Sequence, residues 1–205
     1  MSAKRGRIVT TLVAVAAIAG AAGYAYRENQ RNRQVLAYME LAHHAMHMGD
    51  LTTCERAFKQ ALEVEPKCLA ARTGLADVYD AQGRLERALA EHRRGVEVAP
   101  RSPDAHTALA QALVECHRYA GAIECLKRGL EVAPRDTYMR LLLAFSYRRN
   151  GDFRRARAQL AEIEKMEPGS VAVRNGMRAM AREAKKKPAH AAPRKPSQPQ
   201  HRDAG

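Results

Sequence analysis

The chain has no tryptophan and only three phenylalanines among its 205 residues. So few large aromatics, beside many Ala, Leu and Arg, suit helices better than the aromatic and β-branched pattern of sheets. Its four cysteines, Cys54, Cys68, Cys116 and Cys125, form no C-x-x-C pair and no zinc-type spacing, which sets aside zinc ribbons and thioredoxin-like redox motifs. Cys116 and Cys125 are the nearest pair. A disulfide between them needs a turn geometry that spacing alone does not supply, and small buried thiols are the expectation. A phosphate-binding loop, a dinucleotide glycine fingerprint, HExxH and G-x-S-x-G are all missing, and with them the commonest catalytic frameworks. The acidic residues show no converging pair. An enzyme is not expected, nor is any cofactor.

A single block of one charge sign is also missing from the middle of the chain. The formal net charge of +13 resides mostly at the ends. Residues 1–34 carry six basic side chains against one acidic, and residues 185–205 again six against one. The 150 residues between them hold 23 basic and 20 acidic side chains. Long uncharged stretches are likewise absent, with one exception. Residues 8–26, IVTTLVAVAAIAGAAGYAY, contain no charge. As a helix these 19 residues span about 28 Å, close to the roughly 30 Å of a bilayer's hydrocarbon core.

Lys4, Arg5 and Arg7 in the basic start (1–7) precede that run. Tyr24 and Tyr26 stand where an interfacial aromatic belt would lie, ahead of Arg27, Arg31 and Arg33 in a basic juxtamembrane linker, 27–34. The run is expected to be a single-pass transmembrane anchor. The alternative is a cleaved signal peptide, with small-residue sites at Ala17-Ile18-Ala19 or Ala19-Gly20-Ala21, which would release a secreted or periplasmic protein. No cysteine lies near residue 20, so a lipoprotein anchor is excluded. Three basic residues flank each side, so the positive-inside rule is indecisive. The short basic start leans towards an N-terminus in the cytoplasm and a following domain outside it.

Four prolines, Pro66, Pro100, Pro134 and Pro168, recur every 34 residues. Each closes a related phrase: ALEVEP, GVEVAP, GLEVAP and EIEKMEP. A fixed period of this length signals a repeat architecture. Four copies result, at 35–68, 69–102, 103–136 and 137–170. Leu41, Leu75, Leu109 and Leu143 align, each followed by alanine (Ala42, Ala76, Ala110, Ala144). Gly49-Asp50, Gly83-Arg84 and Gly151-Asp152 mark mid-copy turns. Ala88, Ala122 and Ala156 align with Cys54, while Phe58, Leu126 and Leu160 align with His92.

Apolar residues three and four apart on both sides of the central break give each copy two amphipathic helices. Glycine ends the first and proline stops the second. Ser102-Pro103-Asp104 and Asp136-Thr137 are helix-start signals. One helix pair cannot bury both its faces, so copies must stack.

This pattern of small residue, aromatic, turn glycine, alanine, large apolar residue and proline resembles the tetratricopeptide repeat (TPR) over residues 35–170. The resemblance implies an all-α, right-handed α-solenoid of helix hairpins. Residues 171–187 would supply a capping helix with Val171, Val173, Met177 and Met180 on its apolar side, and one N-terminal transmembrane or signal helix would precede the repeats. The chain departs from the family in places. Tyr38, Arg72, His106 and Arg140 stand where the family has an early Trp. His117 replaces the third turn glycine, and Gly95 and Gly129 replace a helix-interior alanine, each a loss of about 1 kcal/mol in propensity. The Pro-rich basic tail, 188–205, has no large apolar residue and is expected to be disordered.

The resemblance also implies a groove lined by the first helix of each copy, holding a partner protein or peptide. Transferred place by place, it presents His43, Met46 and His47, then Asp77 and Asp80, then Gln111, Val114 and Glu115, then Phe145, Arg148 and Arg149. Glu40, Gly74, Ala108 and Leu142 stand where a chaperone-tail clamp needs Asn or Arg, so that binding mode is not implied. The expected function is a non-catalytic, membrane-anchored scaffold that supports complex assembly.

Two alternatives concern partners. His43 and His47, four apart, share a helix face, whereas His44 points elsewhere. With Asp77 or Asp80 they could complete a metal site, although no metal is expected from two imidazoles alone. Arg148, Arg149, Arg154, Arg155 and Arg157, with the C-terminal lysines, make a basic cluster. It lacks interleaved aromatics, which argues against nucleic acid and leaves an anionic surface as the alternative.

Overall fold

The computed structural model describes the backbone of residues 2–186 and the side chains of residues 20–183. Among the described residues every element is a helix: α1 (Ser2–His47), α2 (Leu51–Val64), α3 (Leu69–Ala81), α4 (Leu85–Val98), α5 (Pro103–Glu115), α6 (Tyr119–Val132), α7 (Thr137–Arg149), α8 (Phe153–Met166) and α9 (Val171–Lys186). Helices α1 to α6 form one compact unit and α7 to α9 a second, divided after Pro134.

Each expected copy is a helix hairpin. The mid-copy turn closes in the same way four times. Gly49 N–H donates to Met46 O and Asp50 N–H to Ala45 O, at 3.0 and 2.9 Å. Gly83 and Arg84, His117 and Arg118, and Gly151 and Asp152 repeat this double bond. It is the Schellman closure, which places its first residue in the left-handed region. The three glycines there have φ of 74°, 71° and 85°, and His117 adopts φ 57° without glycine's freedom. Start signals also act as expected. Ser102 Oγ accepts from Ala105 N–H, and Asp136 Oδ1 accepts from Met139 N–H at 2.8 Å. Asp50 and Asp152 cap α2 and α8 by the same bond, at the second-helix starts. Arg84 and Arg118 hold the equivalent place and give no side-chain cap.

Small residues sit where two helices come closest. Ala42, Ala76, Ala110 and Ala144 are buried on the first helices, as are Cys54, Ala88, Ala122 and Ala156 on the second. Phe58, Leu126 and Leu160 are buried large side chains in one register, and His92 is buried in the same place in the second copy. In the first unit, α2 packs on α3 and α4 on α5, so the hairpins stack. In the second unit, α9 covers the α7/α8 hairpin. Val173 and Met180 of α9 are buried, but Val171 is 60% exposed. Val171 is thus corrected out of the apolar side; it occupies the first helical position and points to solvent.

In the second and third copies, the polar substitutes for the family's early Trp tie the copy to the loop before it. Arg72 donates to Pro66 O at 2.6 Å, and His106 Nε2 lies 3.0 Å from Pro100 O. Arg72 also reaches the buried Glu91 at 3.0 Å, a carboxylate that Arg94 engages as well. Arg140 bonds Gln159 at 3.2 Å within the fourth hairpin.

Residues 27–34 continue α1 into the first copy without a break. Arg31 on that stretch donates to Val64 O and Glu65 Oε2, at 2.9 and 2.8 Å, fastening α1 to the end of α2. Among the described residues no helix is long and apolar enough to cross a membrane. The side chains of residues 8–19, most of the uncharged run, lie outside the described residues, as does the tail 188–205.

Candidate functional site

On the first unit, the residues expected to line a groove come from α1, α3 and α5, the first helix of each hairpin. They alternate with the buried alanines and leucines that hold those helices to their partners, and the 3.6-residue period turns them away from the core. His43, Met46, His47, Asp77, Gln111 and Glu115 are exposed, and Asp80 and Val114 are half-buried. His43 is not fully free of the core, because its ring meets Phe58 edge-on with centroids 6.3 Å apart. The face carries imidazole and thioether groups from α1 and carboxylates from α3 and α5.

Asp77 and Asp80, three apart on α3, converge with His92 of α4. His92 Nε2 stands 3.9 Å from Asp80 Oδ2. Desolvation raises the Asp80 carboxyl above its ordinary value; His92 opposes this and Asp77 adds to it. Asp77 keeps an exposed edge yet is crowded enough for desolvation to raise its carboxyl too, against a smaller opposing effect of His92. His43 and His47 do not belong to this group. The alternative pairing of the two α1 histidines with Asp77 is not the group that the structure brings together; Asp77 stands with Asp80 and His92 instead. The sequence signal for His92 is its register, which it shares with Phe58, Leu126 and Leu160.

The second unit holds the other three expected residues. Phe145 is 37% exposed, Arg148 is half-buried and Arg149 is exposed. The Arg148 guanidinium lies over the Phe145 ring, 5.1 Å from its centroid, and pairs with Glu183 of α9. Beside them is a cleft of about 330 Å³ between α7, α8 and α9, lined by Leu141, Phe145, Leu160, Ala172, Gly176 and Met180. Gly176 lets α9 approach, since a Cβ there would lie 2.8 Å from Leu160 Cδ1. Nothing in the spacing of residues had pointed to this cleft. The basic cluster is partly neutralised: Arg148 is paired, and Arg155 lies 3.3 Å from Asp152 and over the Tyr147 ring.

All four cysteines are free; Cys54 and Cys125 are buried, and Cys68 and Cys116 are partly so. Burial pushes the Cys125 thiol up to about 11 and raises those of Cys54 and Cys116.

Comparison with known proteins agrees with this architecture. The tetratricopeptide repeat family model matches residues 45–112, 93–144 and 113–182. No curated protein matches the chain in sequence. A tetratricopeptide repeat protein from Parabacteroides merdae has a similar fold, with a TM-score of 0.69 at 18% identity, covering 75% of this chain and 61% of its own. YrrB, described as a TPR protein with an unusual peptide-binding site, is similar with a TM-score of 0.61 at 18% identity, covering 77% of this chain and 82% of its own. The O-GlcNAc transferase of Thermobaculum terrenum shares the fold at a TM-score of 0.56 and 22% identity; the match covers 66% of this chain and 26% of the enzyme. With the family model spanning residues 45–182 and four hairpins built at its period, the chain belongs to the tetratricopeptide repeat family.

Proposed function

We propose that the chain is a non-catalytic scaffold that holds a partner protein on the first-helix face of its repeats and supports complex assembly beside a membrane. The observation that carries the reading is the exposed set on α1, α3 and α5. His43, Met46 and His47, then Asp77, then Gln111 and Glu115, recur at equivalent places over buried alanines. Exposed side chains carried at equivalent places by tightly packed helices form a surface that a partner can read. Asp77, Asp80 and Glu115 make that surface acidic in its middle. The partner segment that fits it carries basic side chains, since complementary charge sets orientation and on-rate. A peptide-binding site in a protein of the same fold supports the assignment. On the second unit, Phe145, Arg148 and Arg149 hold the equivalent places of the fourth repeat and are proposed as binding residues there.

The uncharged run at residues 8–26 supports a single-pass anchor, with a secreted or periplasmic protein as the alternative if it is removed. The basic start favours the repeats lying outside the cytoplasm.

Site-specific photo-crosslinking in cells tests the docking face. A crosslinking residue replacing His43 or Gln111 in the full chain is expected to capture one and the same protein. The same residue replacing Arg56 or Arg128, exposed on second helices, is expected to capture none of it. In addition, E115K is expected to lower the yield about tenfold. Equal capture from both sets of positions, or none from the first, rules the face out.

A further inference from the structure

The repeats should be alike, and at one place the second is not. Phe58, Leu126 and Leu160 fill one register position with large apolar side chains, and His92 fills it with an imidazole. His92 is buried there, its side chain only 7% exposed. A buried ring with two polar nitrogens in an apolar seat calls for a partner. Its Nε2 is aimed at Asp80 Oδ2, but 3.9 Å is wider than a hydrogen bond. Asp77 stands one helical turn from Asp80, on the same face of α3. One ligand atom from each of the three residues lies within 4.8 Å of the other two.

We propose that Asp77, Asp80 and His92 form a binding site for a divalent transition-metal cation of the zinc class. The donor set of one imidazole nitrogen and two carboxylate oxygens suits such an ion better than calcium or magnesium, which take oxygen ligands. With bonds of about 2.0–2.2 Å, ligand atoms on a tetrahedral zinc lie about 3.4 Å apart. Rotamer adjustments that close up to about 1.4 Å therefore bring the three into range. The ion would give the buried imidazole a closer partner than Asp80 at 3.9 Å, and it would balance the charge of two neighbouring carboxylates partly stripped of water. Asp77 keeps an edge to solvent, which gives the ion a way in and leaves its remaining position to water. The site lies within one hairpin, on α3 and α4, and its two carboxylates also belong to the first-helix face, so an ion there lowers the negative charge of that face.

The experiment is calorimetric titration of the full chain, in a non-ionic detergent with a non-thiol reductant, with zinc chloride and no partner present. One ion per chain with low-micromolar affinity is expected. Cobalt(II) should give visible d–d bands of a low-coordinate site. H92L, the residue the other copies tolerate in this seat, is expected to unfold at or above the wild-type temperature while binding zinc about 100-fold or more weakly. D80N, nearly isosteric, should weaken binding comparably, which keeps the result readable if H92L fails to fold. The double variant H43A/H47A should bind as wild type does. The proposal is overturned if the wild type takes up no zinc or cobalt. It is equally overturned if binding survives both H92L and D80N, or if H43A/H47A abolishes it.

Discussion

At the scale of single residues, the third turn shows what happens when the repeat pattern is broken. His117 takes the left-handed conformation, φ 57°, that Gly49, Gly83 and Gly151 take in the other copies. The closing hydrogen bonds from His117 and Arg118 to Val114 O and Leu113 O, at 2.9 and 2.7 Å, force it there. A residue with a Cβ is penalised by about 1–2 kcal/mol in this region, and glycine is not. The return for histidine is a contact of Nδ1 with the Tyr119 hydroxyl at 2.8 Å, on the exposed surface. An exposed hydrogen bond contributes about 1 kcal/mol or less, and glycine's greater unfolded-state entropy takes back part of the conformational gain. The conformational effect should still win. His117→Gly is therefore expected to stabilise the protein by about 0.5–1 kcal/mol, read as a higher urea midpoint at an unchanged slope. A lower midpoint would mean that the Tyr119 contact outweighs the backbone strain.

At the scale of elements, the α2/α3 packing depends on a glycine whose role the sequence hides. Gly74 sits inside α3, and a Cβ built on it would lie 2.3 Å from Phe58 Cζ and 2.5 Å from Cε1. Phe58 is only 1% exposed and has the His43 ring against its edge, so it has little room to retreat. Gly74→Ala improves helix propensity by about 1 kcal/mol, yet overpacking of a filled core costs about 1–3 kcal/mol, and a contact this short belongs at the upper end. A net loss of about 1–2 kcal/mol is expected by denaturant unfolding. Shortening the ring in the double variant Phe58→Leu/Gly74→Ala should cost less than the two single losses added, a coupling that a double-mutant cycle measures. Additive losses would show that the ring and the glycine are not the contact that matters. Legibility followed the same division. Period, turn glycines and cap residues were readable because each acts through its own backbone or within one turn. Gly74, Gly176 and the α9 cleft were not, because their roles depend on side chains from another helix, and Val171 was misread because periodicity alone does not tell a first-turn residue from a packed one.

At the scale of the whole molecule, most of the excess positive charge sits at the two ends and the repeats between them are nearly balanced. The groove residues named from sequence are mostly exposed, as a binding face requires, but exposure does not say what is bound; that information resides in a partner's shape and charge. Attachment is more accessible to test, because one helix, α1, carries both the uncharged run and the first repeat, with Arg31 fastening it to α2. If residues 8–26 span a bilayer, the full-length chain should remain in the membrane pellet through an alkaline carbonate wash, which strips proteins held by charge alone. Placing arginine at two central positions, Val13→Arg and Ala16→Arg, adds about 2.5–3.5 kcal/mol of insertion cost at each, more than a run this rich in alanine can absorb. That variant is expected in the soluble fraction. Mass spectrometry separates the remaining outcomes: a soluble chain lacking its first twenty or so residues identifies a cleaved signal peptide, and a soluble chain of full length excludes both anchor and signal.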